Sequence, residues 1–172
     1  MTDQPRWLSD EEQSLWRLIL AATRKVDRVM DETLQMGSEL SVSEFSVLVS
    51  LSESETGCMR LRELCASLDW DRSRTSHQIT RMERRGLVTK RKSEGDARGV
   101  VVEITDDGSE RLRTAAPSHV ESVRRVMFDH LTEQQSDTLR AILEQVMAVD
   151  NVPGTEGLCG PLYGGEPESK TP

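Results

Sequence analysis

Apolar residues at Leu15, Ile19, Ala22, Val26, Val29 and Met30 recur at helical spacing, and Ser9 with Glu12 three residues later forms a capping box ahead of them. Asp10, Glu11 and Glu12 suit the positive end of a helix dipole. The pattern predicts a long amphipathic helix ending near Met36–Gly37. Ser41 and Glu44 repeat the capping signature before Phe45, Leu48, Val49 and Leu51. A turn at Gly57 separates this second helix from a short third one, whose inward residues are Leu61, Leu64, Cys65 and Leu68. Asp69–Trp70 ends the third helix, and Asp71 or Ser73 caps a fourth. On that fourth helix Thr75, Ile79 and Met82 share the core face, while Arg74, Gln78, Arg81 and Arg85 fall on another side. Gly86 is placed to stop it in the left-handed conformation, followed by an apolar contact from Leu87.

The period then changes. LVTKRKS and GVVVEIT read as two strands, with alternation at Val100, Val102 and Ile104, and SEGDARG between them reads as a turn. The predicted hairpin has a basic rim of Lys90, Arg91, Lys92 and Arg98. Asp106-Asp107-Gly108 opens a further helix running to Leu131, which Pro117 should kink or interrupt. Thr132 and Gln135 cap a last helix that carries Leu139, Ile142, Leu143, Val146 and Met147 on one face. From Asn151 onward the chain holds four of the six prolines and five of the eleven glycines, the composition of a flexible extension. The predicted fold is mainly α with a small β-hairpin wing. It divides into an N-terminal helix (1–36), a helix-turn-helix with wing (37–108), C-terminal helices (109–150) and a tail (151–172).

Charge sharpens this picture. The 172-residue chain has a net charge of -8, yet residues 71–98 carry +5 and the remainder -13. A local basic face, not the total, governs binding to a phosphate backbone. Aromatics are only 3% of the residues, so the core is built from aliphatic side chains. The longest apolar run, Leu18 to Ala22, is far too short for a bilayer, and no secretory signal is visible. Cys58, Cys65 and Cys159 are an odd number without metal-ligand spacing, which points to reduced thiols in a cytoplasmic protein and to no bound metal. No nucleophile–base pair or phosphate-cradling loop is present, since Gly95 and Gly99 belong to the hairpin turn. An enzyme and a resident cofactor are therefore not expected.

A basic helix followed by a basic hairpin matches the geometry of double-stranded DNA. A helix fits the major groove, where its polar N-terminal half reaches base edges. The candidates are Arg72, Ser73, Arg74, Ser76, His77 and Gln78; Arg and Gln each make bidentate contacts with a purine edge. Arg81, Arg84 and Arg85 are placed for phosphates, with Lys90 and Arg91 on the wing. Arg98 at a narrow hairpin tip suits the negative potential of a minor groove. The competing readings are an ordinary solvated face and a helical interaction module without DNA affinity.

The stretch from LRELCASLDW through DRSRTSHQITRMERRGLVTKRKSEGDARGVVVEIT resembles the MarR family of winged-helix regulators. Three motifs carry the resemblance: DRSRTS at helix entry, MERRGLV at its exit, and DARG followed by VVVEITDDG in the wing. It implies a homodimer in which the first and last helices of two chains interdigitate. Their long apolar stripes, more than one small domain needs, point the same way. It also implies that Arg98 enters the minor groove with Asp96 bracing its guanidinium. Such proteins usually repress, and many release DNA when a small aromatic or phenolic ligand binds between the dimerisation helices and the DNA-binding lobe. By element order, Trp16, Met30, Phe45 and Met127 are the candidate walls of that pocket. One branch of the family senses peroxide through a cysteine near the start of the first helix, where this chain has none. A different thiol switch, through Cys58 near Arg60 or through Cys159, stays open. His119 and His130 read as surface or packing residues.

Overall fold

The computed structural model describes residues 6–93 and 96–150, with side chains omitted at 96–98. Six helices and three short strands follow in the order α1 (Asp10–Ser38), α2 (Val42–Ser52), β1 (Cys58–Arg60), α3 (Leu61–Leu68), α4 (Arg72–Arg84), β2 (Val88–Ser93), β3 (Asp96–Ile104), α5 (Asp106–Val126) and α6 (Glu133–Met147). The expected capping boxes form at Ser9–Glu12, Ser41–Glu44 and Thr132–Gln135. Asp71, not Ser73, caps α4: its carboxylate accepts from the Arg74 amide at 2.8 Å. Gly86 takes the left-handed conformation at φ 75°.

Three details differ from the sequence pattern. The wing is a three-stranded antiparallel sheet in the order β1-β3-β2, because Cys58–Arg60, where the pattern gives the Gly57 turn and the start of the third helix, pairs with Val101–Glu103. Helix α5 continues through Pro117 without interruption. Proline costs the helix the hydrogen bond its own N–H would donate and crowds the carbonyl four residues earlier, yet the backbone stays helical on both sides of it. That helix ends at Val126, and a single 3-10 turn at Phe128–His130 leads to α6.

The core lies where α2, α3, α4 and the sheet meet. Leu48, Leu51, Leu64, Ile79, Met82, Leu87 and Val102 are completely buried there, joined by Leu34 from the C-terminal half of α1 and Ala115 from α5. Thr33 and Ser122 hydroxyls, 2.9 Å apart, tie α1 to α5. The wing is locked to α5 at Thr105. Its hydroxyl donates to the Gly86 carbonyl at 2.7 Å and accepts from the Gly108 amide at 3.0 Å. A Cβ at Gly108 would stand 2.2 Å from the Leu87 carbonyl oxygen, so only glycine allows this close approach. Thr105→Val, which removes both bonds of the hydroxyl but keeps its shape, is expected to cost about 1 kcal/mol of stability by urea unfolding. An unchanged midpoint would show that the wing is held by the sheet alone.

The outer elements pack little within one chain. Every residue from Asp10 to Lys25 is exposed, including Leu15, Trp16, Leu18 and Ile19, and so are Ile142, Leu143, Val146 and Met147 on α6.

Candidate nucleic-acid interface

Helix α4 turns Thr75, Ile79 and Met82 into the core and leaves Arg72, Ser73, Arg74, Ser76, His77, Arg81 and Arg84 exposed. Seven side chains capable of donating hydrogen bonds thus share one outward face. Two further candidates are placed differently. Gln78 is only 3% exposed and accepts a hydrogen bond from the Arg81 guanidinium, so it orients Arg81 rather than standing free for a base. It lies three residues after Thr75 and four before Met82, on the flank of the buried stripe, which helical geometry carries inward. Arg85, although exposed, is tied to the fold by its side-chain bonds. Its Nη1 lies 2.7 and 2.8 Å from the two Glu44 carboxylate oxygens, and its Nη2 donates to the Glu39 carbonyl at 2.9 Å. Glu44 is itself buried.

On the wing, Lys90 pairs with Glu83 at 2.8 Å and lies 3.3 Å from the Thr80 hydroxyl, fastening β2 to α4. Arg91 pairs with Glu103 at 3.5 Å. Lys92 is exposed. The side chains of Asp96 and Arg98 lie outside the described residues, as does Cys159. Cys58 is partly buried on β1, with its sulfur 3.2 Å from the Thr56 hydroxyl and 3.7 Å from Arg91 Nη2.

The sequence pattern missed two cations. Arg60 and Arg62 line a crevice of about 360 Å³ with Arg72, against Gly99 and Val100 of the wing. The signal was present in the alternation Arg60-Leu61-Arg62 at the start of α3, but its meaning depends on β1 bringing that end beside the wing.

A second cavity of about 260 Å³ is lined by residues of α1, α2, α3 and α5. Met30 of α1 and Phe45 of α2 line it, together with Leu68, Trp70 and His119. Trp16 and Met127 do not. Trp16 is 51% exposed, and fourteen residues of helix, about 21 Å, separate it from Met30. Met127 follows the end of α5, about 12 Å along the helix from His119. His119, expected as a surface or packing residue, stacks on Phe45 with ring centroids 4.4 Å apart. Its buried Nδ1 has no hydrogen-bond partner among the described residues.

Burial holds the His119 pKa below its ordinary 6.5. The unfolded chain therefore binds the proton more readily, and stability is lost as pH falls below that ordinary value towards the lowered one. His119→Leu is expected to flatten this part of the stability–pH curve in urea unfolding. Parallel curves for the two proteins would show that the ring is solvated.

A helix-turn-helix followed by an antiparallel wing, with one outward arginine face, defines a winged helix-turn-helix protein. A sequence profile of the MarR family matches residues 40–100. Sco3205 of Streptomyces coelicolor, a MarR family transcriptional regulator solved in complex with DNA, is 37% identical with a TM-score of 0.80, covering 84% of this chain and 91% of that one. AbsC of the same organism, another MarR family regulator, is 39% identical with a TM-score of 0.79, over 83% and 95% of the two chains. The multiple antibiotic resistance protein MarR of Salmonella typhimurium is 25% identical over 140 residues, 81% of this chain and 95% of that one. The chain belongs to the MarR family, whose members are transcriptional regulators and not enzymes.

Proposed function

We propose that this protein is a homodimeric, sequence-specific DNA-binding repressor, released from a pseudo-palindromic operator by a small aromatic ligand. The outward arginine face of α4 carries the reading: an acidic chain concentrates exposed guanidinium groups on the one helix shaped for a major groove. Arg74 is the leading candidate for a base contact, with Ser73, Ser76 and His77 beside it. To phosphates we assign Arg72, Arg81 and Arg84, together with Arg60 and Arg62, which share a crevice with Arg72. The resemblance adds Arg98 as the minor-groove residue and Asp96 as its brace. Sco3205, solved with DNA, supports the partner.

Ligand release is supported by the second cavity. Its walls are mainly apolar and aromatic, with the hydroxyl-bearing Ser46, Ser50 and Ser67 and the His119 ring among them. That combination suits a flat ring bearing a hydroxyl or carboxyl group. Among the described residues no helix is long and apolar enough to cross a membrane, in keeping with a protein that works on DNA.

The decisive experiment is to sequence the genomic fragments that purified protein retains at near-physiological salt. The expected product is a palindrome whose half-sites lie about one helical turn, roughly 34–36 Å, apart. Arg74→Ala should then weaken operator binding by about 1–3 kcal/mol while leaving random DNA nearly unaffected. Arg98→Ala should lower affinity without unfolding the protein. Retention of fragments without any shared sequence would overturn the reading.

A further inference from the structure

Trp70 occupies the turn between α3 and α4. Its amide donates to the Cys65 carbonyl at 3.0 Å, so the last turn of α3 fixes its backbone. The side chain has two neighbours of different kinds. It forms part of the wall of the cavity that also holds Phe45, Leu68 and His119. It also lies under Arg74, whose guanidinium carbon stands 4.3 Å from the ring centroid, well within the range of a cation–π contact. Arg74 comes one helical turn later, at the point where α4 begins.

This contact suits a base-reading arginine. A contact with the indole ring holds the guanidinium without engaging its five N–H donors in a hydrogen bond, so they remain free for a purine edge. A side chain held in its bound position loses less freedom on binding. Among the described residues, Arg74 makes no ion pair and its side chain donates no hydrogen bond, so the indole is its one specific partner. The same indole faces any molecule that enters the cavity.

We propose that Trp70 is a positioning residue that presets Arg74 for its base contact, and that an occupant of the cavity acts on DNA recognition by displacing this one indole. The inference rests on the regulatory reading above and adds the route between its two sites. It separates specificity from charge. Displacing Trp70 leaves every phosphate-facing arginine in place, so an occupied protein loses its preference for the operator before it loses general affinity for DNA.

The contact and the route can be tested separately. With Trp7→Phe and Trp16→Phe as background, Trp70 is the sole tryptophan. Adding Arg74→Ala is expected to change its emission and increase its quenching by acrylamide; no change would mean that the stack does not exist in solution. On DNA, Trp70→Leu is expected to lower operator affinity about two- to fivefold, the scale of an exposed cation–π contact, with random-sequence affinity unaltered. In an Arg74→Ala background it should add nothing. Additive losses, or an equal loss on both DNAs, would overturn the positioning role.

Occupancy is imposed in two ways, by phenol or benzoate at millimolar concentration and by Ser50→Phe, which puts a ring at the cavity wall. Either is expected to alter Trp70 emission and to reduce operator affinity more with Arg74 present than in Arg74→Ala. An equal reduction in both proteins, or no effect of either treatment, would overturn the route. If the unmodified protein fails to distinguish operator from random DNA, the regulatory reading falls, while the emission of Arg74→Ala still decides the contact.

Discussion

Aspartate at both Ile19 and Leu143 is expected to leave a folded monomer with about 100- to 10,000-fold weaker operator binding, the scale lost when two linked contacts become one. The two side chains are 46% and 52% exposed in the single chain, so neither supports its core. They belong to apolar stripes on α1 and α6 that also include Leu15, Trp16, Ile142 and Val146. The proposed dimer gives these exposed apolar side chains a partner, a second copy of the chain, because large exposed apolar patches are uncommon on monomers. A buried carboxylate in that partner interface would be desolvated and unpaired. Light scattering should report half the mass of the unmodified protein, circular dichroism an unchanged helix content, and mobility shift the loss of the operator complex. A variant that stays dimeric, or a monomer that binds the operator undiminished, would refute the two-chain reading. Phosphate contacts survive on each monomer, so weak binding that fades with salt should remain.

The contrast between local and long-range features explains what the sequence pattern could reveal. Each capping box is a four-residue signal, and Ser9, Ser41 and Thr132 open their helices as the pattern predicts. The two faces of α4 follow from helical spacing alone, and so does the left-handed Gly86. Strand β1 escaped because three residues are too few to show a period; it exists only through pairing with β3. The cavity draws on α1, α2, α3 and α5, elements far apart in the chain, so no local pattern points to Trp70 or His119 as part of its wall. Arg85 shows the limit most clearly. On a helical wheel it is another member of the arginine stripe, and only the fold brings it to Glu44, 41 residues earlier.

That placement separates two adjacent arginines. Glu44 closes the capping box of α2, holding Ser41 at 2.9 Å, and receives Arg85 from the end of α4. Arg85 also satisfies the Glu39 carbonyl, where α1 ends in the left-handed conformation. One guanidinium thus joins the ends of three helices. Arg85→Ala leaves the Glu44 carboxylate, 7% exposed, without its counter-charge. Breaking a fully buried pair costs more, but Arg85 is 38% exposed and partly solvated, so we expect a loss of about 2–3 kcal/mol. That corresponds to a fall in melting temperature of roughly 5–10 °C for a chain of this size. Arg84→Ala should change stability by no more than about 0.5 kcal/mol, because its side chain is exposed. It should instead reduce the salt dependence of DNA binding by about one phosphate contact. Thermal unfolding and binding across a salt series read the two effects independently. If Arg85→Ala leaves the melting temperature unchanged and flattens the salt dependence, the ion pair opens in solution and Arg85 returns to the DNA-facing set.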